Sequence, residues 1–450
     1  MTHSHDAVRR PNPRAPLAAF LSFLFPGLGQ AYNGQSVLGW LLAAPVLLVV
    51  VGALLAVSLA RGDLLARFLD TRFLLGLIVL DLALLGWRLV AIAQAHGRRE
   101  PAGGGRWTTY VTALLLVATL AMHALPAWYA VKAIDTLGAV AREGSGTARG
   151  SRTDGGSPVT QLPEPSDQPD VSRGERVNVL LVGIDAAPGR VTELTDTMLV
   201  VSLDPDSGRS AMVSVPRDLY AAPLPGGGTF DAKLNALMSY ADARPGEFPL
   251  GGVGTLKASI GELLGVPIHY FAAINLLGFK DAIDAVGGVD VVVERTINDP
   301  SYFDEFENPV GLYLEPGTYH MDGHLALAYV RSRQGIGDSD FTRAARQQEL
   351  LTAVRAKLTA GNLLLALPGL LDAVKSTIYT DVPSDQLPHI AQAVQDADMD
   401  RIERVVLQPP EYVTPEPFSA AGYILHPNRE AIRELGQRLL RDSMAPEARP

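Results

Sequence analysis

Four long apolar runs in the first 130 residues limit what this chain can fold into: Ala15 to Asn33, Ser36 to Ala60, Phe73 to Ala95 and Thr108 to Ala130. Roughly 20 apolar residues in a helix cross the hydrocarbon of a bilayer, where helices satisfy every backbone group internally. These runs therefore predict membrane helices. Val46 to Leu59 carries no charge within a 25-residue apolar run, a pattern made for lipid rather than for a soluble core. A cleavable signal peptide would be one short stretch after a basic start, so several long runs are expected to stay in the membrane.

Arginine placement then sets the expected topology. If all four runs crossed and the C-terminal part lay outside, Arg9, Arg10, Arg14, Arg61, Arg67 and Arg72 would be outside, with only Arg98, Arg99 and Arg106 inside. That violates the positive-inside rule. The first run is broken by Pro26, Gly27, Gly29, Gln30 and Asn33 and reads as a re-entrant or interfacial piece, leaving three crossings. Asp81 and Arg88 within the third run are costly in lipid and are expected to face another helix. The predicted organisation is a cytoplasmic tail at 1–14, a membrane region at 15–135, a Gly/Ser/Pro-rich linker at 136–175, and an extracytoplasmic domain at 176–450.

Charge divides the same way. Residues 1–175 hold 15 Lys+Arg against 12 Asp+Glu, net +3, and residues 176–450 hold 23 against 36, net −13. So acidic a domain is a poor partner for nucleic acid, which is bound by neutralising phosphates with clustered bases. With no cysteine, the exported domain must stand on its hydrophobic core alone.

Within that domain, Asn178 to Ile184, Thr197 to Leu203 and Arg209 to Val215 read as strands, the last two joined by a Pro205–Gly208 turn. Asp185, Asp196 and the pair Arg217/Asp218 fall just outside these runs, where open α/β sheets place ligand-contacting groups. Two carboxylates suit a hard cation, Mg²⁺ or Mn²⁺, and an arginine suits the phosphate that the cation also touches. The competing reading is that an aspartate closing a strand is a turn residue. Ile268 to Ile274 and Val289 to Val293 read as strands around a helix at Leu277 to Val286, a βαβ unit pointing to an α/β fold.

Arg331 and Arg333 in YVRSR stand two apart, so an extended or turn conformation would aim both at neighbouring phosphates. Further on, Asp340, Arg343, Gln347, Leu351, Val354 and Leu358 recur every three or four residues, a helical stripe that carries three polar groups inward. Such groups need partners. Either a structural salt-bridge network or a bound pyrophosphate supplies them, and Arg346, one step round the helix, is placed to join. There is no GxxxxGK[ST] loop, and the histidines have no zinc-like spacing.

Five blocks in order resemble the LytR-CpsA-Psr family: the Asn178–Tyr220 stretch, AKLNALMSYA from Ala232, YFAAINLLGFKDAIDAVGGVDVVV from Tyr270, MDGHLALAYVRSR from Met321 and SDFTRAARQQ from Ser339. They cover roughly residues 176–360. The resemblance implies an α/β domain with a central mixed sheet flanked by helices, and phosphate contacts at Lys233 and Asn235. It implies a phosphotransferase of the cell membrane that moves a glycopolymer from a polyprenyl-pyrophosphate carrier onto peptidoglycan; for that reaction Asp218 or Asp340 could serve as base, and either could instead orient an arginine. A polyprenyl-diphosphate pyrophosphatase and a non-catalytic lipid-binding regulator are the rival readings. The chain departs from the family pattern at Leu194, where members often carry arginine, and at Thr342, where glycine is usual. The Leu-rich stretch Asn362 to Leu371 is a candidate wall for the lipid.

Overall fold

The computed structural model describes residues 14–59, 67–97, 106–144, 168–185, 194–333, 338–357, 378–383, 385–398 and 401–441. The chain divides into two compact units, one ending at Ile134 and one beginning at Asp135.

The first unit is helical: α1 (Arg14–Leu24), α2 (Leu28–Tyr32), α3 (Ser36–Leu59), α4 (Thr71–Gly97) and α5 (Arg106–Gly144). Three of these contain spans long and apolar enough to cross a membrane, Ser36–Ala56, Thr71–Gly97 and Trp107–Gly138. The first apolar run instead splits at Gly27, whose φ of 100° no L side chain adopts readily and whose Cβ would lie 2.1 Å from the Gly39 carbonyl oxygen. The unit exposes many large apolar side chains and buries small apolar residues together with several polar ones. Trp40, Leu48, Val79 and Leu114 are exposed, whereas Ser22 and Gln30 are fully buried. Gln30 donates to the Ala91 carbonyl at 2.7 Å and Asn33 to that of Ala95 at 2.8 Å, so the FPGLGQAYN string docks on α4. Arg88 donates to the Phe23 carbonyl and Asp81 pairs with His123 at 2.8 Å, so both intramembrane charges face neighbouring helices. Helix α5 continues to Gly144, so residues 136–144 of the stretch read as linker are helical.

The second unit is an α/β domain on a six-stranded mixed sheet. Its strands are β1 (Val177–Asp185), β2 (Leu194–Leu203), β3 (Ser210–Ser214), β6 (Tyr270–Asn275), β11 (Ile378–Thr380) and β12 (Glu403–Val406), in the order β11-β6-β1-β2-β3-β12. Alternation along β1 splits its side chains between two cores, as a period of two demands. Leu180, Val182 and Ile184 join the large core with α7 (Gly251–Leu264) and α12 (Arg429–Leu440), and Val177 and Val179 join a smaller one against α11 (Leu387–Asp396).

Three expectations need correcting. Strand β7 (Val289–Val293) pairs with β10 (Gly317–Met321) in a separate two-stranded sheet, so β6, helix α8 (Leu276–Ala285) and β7 do not form a βαβ unit of one sheet. β7 packs into its own apolar cluster with the hairpin of β8 (Ile297–Asp299) and β9 (Leu312–Leu314) and with α9 (Gly323–Arg331). AKLNALMSYA, which by sequence reads as a helix start after the Pro225–Gly228 loop, begins instead in a strand: Lys233 ends β5 (Thr229–Lys233), which pairs with β4 (Tyr220–Pro223) across that loop, and helix α6 (Leu237–Asp242) starts only afterwards. Arg331 is not extended, because it closes α9, and only Ser332 turns out of the helix, at φ −56° and ψ 135°.

Candidate active site

Strand ends and one helix bring the charged residues together. Asp196 lies inside β2 rather than beyond it and is the unpaired residue of a register shift opposite Gly183 and Ile184, which re-aims side chains at the strand end. Asp185 is the last residue of β1, opposite Leu194, and its side chain lies outside the described residues. Arg217 and Asp218 follow β3 in a tight turn that also receives the Asn235 backbone N–H on the Arg217 carbonyl. Helix α10 (Asp340–Lys357) crosses this end of the sheet. Its start is fixed by a reciprocal cap, Thr342 N–H to Ser339 Oγ and Ser339 N–H to Thr342 Oγ1, so the threonine that replaces the family's glycine is used locally.

At the centre stands Arg217. Its Nη1 donates to Asp196 at 2.7 Å, and its Nε lies 3.4 Å from Asp340 and 3.7 Å from Asp218. Asp218 accepts from the Lys233 ammonium at 2.7 Å, and Arg343 lies 3.5 Å from Asp340 while donating to the Asp196 backbone carbonyl at 3.1 Å. Three carboxylates thus meet three cations. Burial works to lower the Arg217 pKa, but Asp196, Asp340 and Asp218 outweigh it and hold the guanidinium charged. Burial also pushes Asp218 above the usual carboxylate range despite Lys233 and Arg217, and it lowers Arg343. Arg217 Nε, Arg343 Nε and Asp340 Oδ1 are buried without a hydrogen-bond partner. Buried polar atoms without a hydrogen bond in a charged cleft call for an explanation, and a bound anion is one. The cleft is lined by Asp196, Arg217, Asp340, Arg343 and Gln347, with Phe341 on its apolar side.

Other expected residues stand elsewhere. The buried stripe of α10 runs through Arg343, Arg346 and Leu350, so Arg346 points deeper than expected and Gln347 is only half-buried. Arg346 donates to the Ser332 carbonyl and pairs with Asp338 at 3.3 Å, which takes it away from the Arg217 cluster. Gln347 lines the cleft and donates to the Val330 carbonyl at 3.2 Å. Arg331 donates to the Phe303 carbonyl at 3.3 Å and Arg333 is exposed, so the two do not form a parallel fork beside Arg217. Asn235 contributes backbone here, its carbonyl accepting from the Thr195 hydroxyl at 3.2 Å. Leu194 starts β2 partly exposed, and the Asn362–Leu371 stretch lies outside the described residues. Asp299, which no motif signalled, and Ser332, between the two arginines of YVRSR, organise the end of α9.

The chain resembles known proteins in sequence. A polyisoprenyl-teichoic acid–peptidoglycan teichoic acid transferase TagU of Bacillus mycoides is 32% identical over 219 residues, covering 48% of this chain and 64% of the relative. The match therefore spans just under two thirds of that protein's length. Among solved structures, B. subtilis TagV aligns with a TM-score of 0.46 at 24% identity over 59% of this chain and 98% of that one. TagT bound to LIIa-WTA aligns at 0.47 and 23% over 62% and 94%. A family profile described as LytR_cpsA_psr matches residues 145–435, well over half of the sequence, and the chain belongs to that family.

Proposed function

We propose that this protein is a membrane-anchored phosphotransferase that moves a glycopolymer from a polyprenyl-pyrophosphate carrier to a hydroxyl of peptidoglycan. The observation that carries this reading is a cleft lined by Arg217 and Arg343, whose Nε atoms are buried without a hydrogen bond, beside carboxylates at the end of the sheet. The name of the TagU relative supports the choice of donor and acceptor. Arg217 and Arg343 would bind the diphosphate and neutralise charge building on the leaving polyprenyl phosphate. Lys233 holds Asp218 and, through it, the flank of Arg217. Asp340, whose side chain is 26% exposed on the cleft wall, is better placed than Asp218 to take the acceptor's proton, because Asp218 is more deeply buried and already accepts a short bond from Lys233. Arg331 and Arg333 follow Val330, whose carbonyl accepts from Gln347 of the cleft wall, and we assign them to the outer phosphate of the donor.

Magnesium fits this donor set without a protein-only cage. Among the described residues no three His, Cys, Asp or Glu are grouped to hold a metal. Mg²⁺ asks for one or two carboxylates, with waters and phosphate oxygens completing its octahedron. Asp196 keeps 30% of its side chain exposed, and Asp185 ends the adjacent strand. When bound there, the ion would polarise the phosphoryl oxygens it shares with the arginines. Asp185→Asn and Asp196→Asn should each weaken Mg²⁺ binding by calorimetry and abolish transfer while the circular-dichroism spectrum is kept. Full activity of both variants in chelator would sink the assignment.

The test of the reaction itself is product analysis with a labelled lipid-linked donor. Label appearing on peptidoglycan, with polyprenyl phosphate released, is the expected result. Equal release without peptidoglycan would make the protein a pyrophosphatase that transfers to water, and no turnover with tight lipid binding would make it a regulator. Function also requires the second unit outside the membrane. In intact cells Ser145→Cys should label with a membrane-impermeant thiol reagent, and Ser4→Cys and Gly104→Cys only after permeabilisation. The native chain has no cysteine, so each probe is clean. Protection of Ser145→Cys would place the domain in the cytoplasm and overturn the cell-wall role.

A further inference from the structure

A buried acid outside the five family-like blocks controls the turn that carries Arg331 and Arg333. Asp299 ends β8 and is 2% exposed. Its Oδ2 accepts from the Ser332 hydroxyl at 2.8 Å and lies 3.4 Å from the Arg333 backbone N–H. Its Oδ1 accepts from the Ser301 N–H at 3.2 Å, and its carbonyl accepts from the Tyr302 N–H at 3.2 Å. The same residue therefore shapes the 299–303 turn on which Arg331 rests, through the Phe303 carbonyl and the Tyr302 ring. Ser332, itself 1% exposed, is gripped from the other side, where Arg346 donates to its carbonyl. Gln347 adds a bond to the Val330 carbonyl. One carboxylate from a separate small sheet thus fixes both the backbone leaving α9 and the platform under its last arginine.

We infer that Asp299 is a positioning residue for the Arg331–Arg333 turn: it sets where the two guanidinium groups stand without meeting the donor. This deepens the reading that these arginines hold the donor's outer phosphate, and it rests on that reading. A long, flexible arginine gains affinity for phosphate when its backbone and resting place are fixed beforehand. An aspartate that only supported the fold would affect melting and leave the arginines' share of binding unchanged.

The test uses the full chain in detergent, titrated with geranylgeranyl pyrophosphate. Arg333→Ala should weaken binding, and Asp299→Ala should weaken it by about tenfold, the size expected when a buried hydrogen-bonding group is removed. Asp299→Asn, which keeps an oxygen for the Ser332 hydroxyl, should restore most of the affinity. The double variant Asp299→Ala/Arg333→Ala should bind no worse than the weaker of the two singles, because both lose the same interaction. Fully additive losses would mean that Asp299 acts elsewhere and would overturn the inference alone. Wild-type binding by both Arg331→Ala and Arg333→Ala would overturn the underlying assignment of the arginines and, with it, the inference. Should Asp299→Ala fail to fold, Ser332→Ala removes only the hydroxyl and should show the same non-additivity with Arg333→Ala; additivity there counts against the proposal equally.

Discussion

Arg217→Lys should reduce kcat/KM for transfer by about 10³-fold or more, the scale seen when a charged donor is removed from a phosphoryl-transfer site. The charge survives the substitution, so the loss measures geometry. Arg217 reaches Asp196 through one nitrogen and approaches Asp218 and Asp340 through another, which a single ammonium on a flexible stem cannot reproduce. Lysine would satisfy one acid and leave two others close together without their shared counter-ion. Its effect on folding should be smaller than on turnover, because Lys233 and Arg343 still neutralise Asp218 and Asp340. Wild-type kcat/KM in Arg217→Lys would show that the cluster is a structural ion network and would remove the basis of the phosphate reading.

How far this site can be read in the sequence depends on the range over which each contact is encoded. Asp196, Arg217 and Asp218 were legible because each follows or lies in an apolar strand, and neighbouring strands deliver their ends to one place. Asp340 and Arg343 were legible from helical spacing. What the spacing could not give was the rotation of α10 against the rest of the domain. A shift of the buried stripe from Gln347 to Arg346 moves one arginine out of the cleft and into the grip on Ser332. The fold shows the same limit. The helix after β6 was plain from its apolar period and its closing glycines, yet whether β7 joined the main sheet depended on long-range pairing that no local pattern carries. Asp299 is the extreme case: TIND has no recognisable signature, and its link to the arginine turn comes from the serine 33 residues away that it meets.

Asp340→Asn is the second large effect, and it separates chemistry from binding. If Asp340 takes the acceptor's proton, kcat should fall by about 10² to 10⁴, the usual contribution of a positioned base. The KM for the lipid donor should stay close to wild type, because Arg217 keeps its bond to Asp196 and Arg343 keeps its bond to the Asp196 carbonyl. A rise in KM with little change in kcat would instead make Asp340 an orienting partner of the arginines. The pH profile gives an independent reading through Asp218. Burial raises its pKa, so on acidification it takes up a proton before an ordinary carboxylate does. Once neutral, it loosens Lys233 and one side of Arg217, and donor affinity should fall with pH from above the usual carboxylate value of about 3.9. By linkage, the same raised pKa means that the folded state holds this proton more tightly than the unfolded chain, so stability from Asp218 is present below its unfolded pKa and is lost as pH rises through the folded one. Asp218→Asn should therefore keep or raise the melting temperature at neutral pH while flattening the acid limb of donor binding. A variant that melts earlier at neutral pH and retains the limb would show that Asp218 is neither strained by its burial nor the group that titrates.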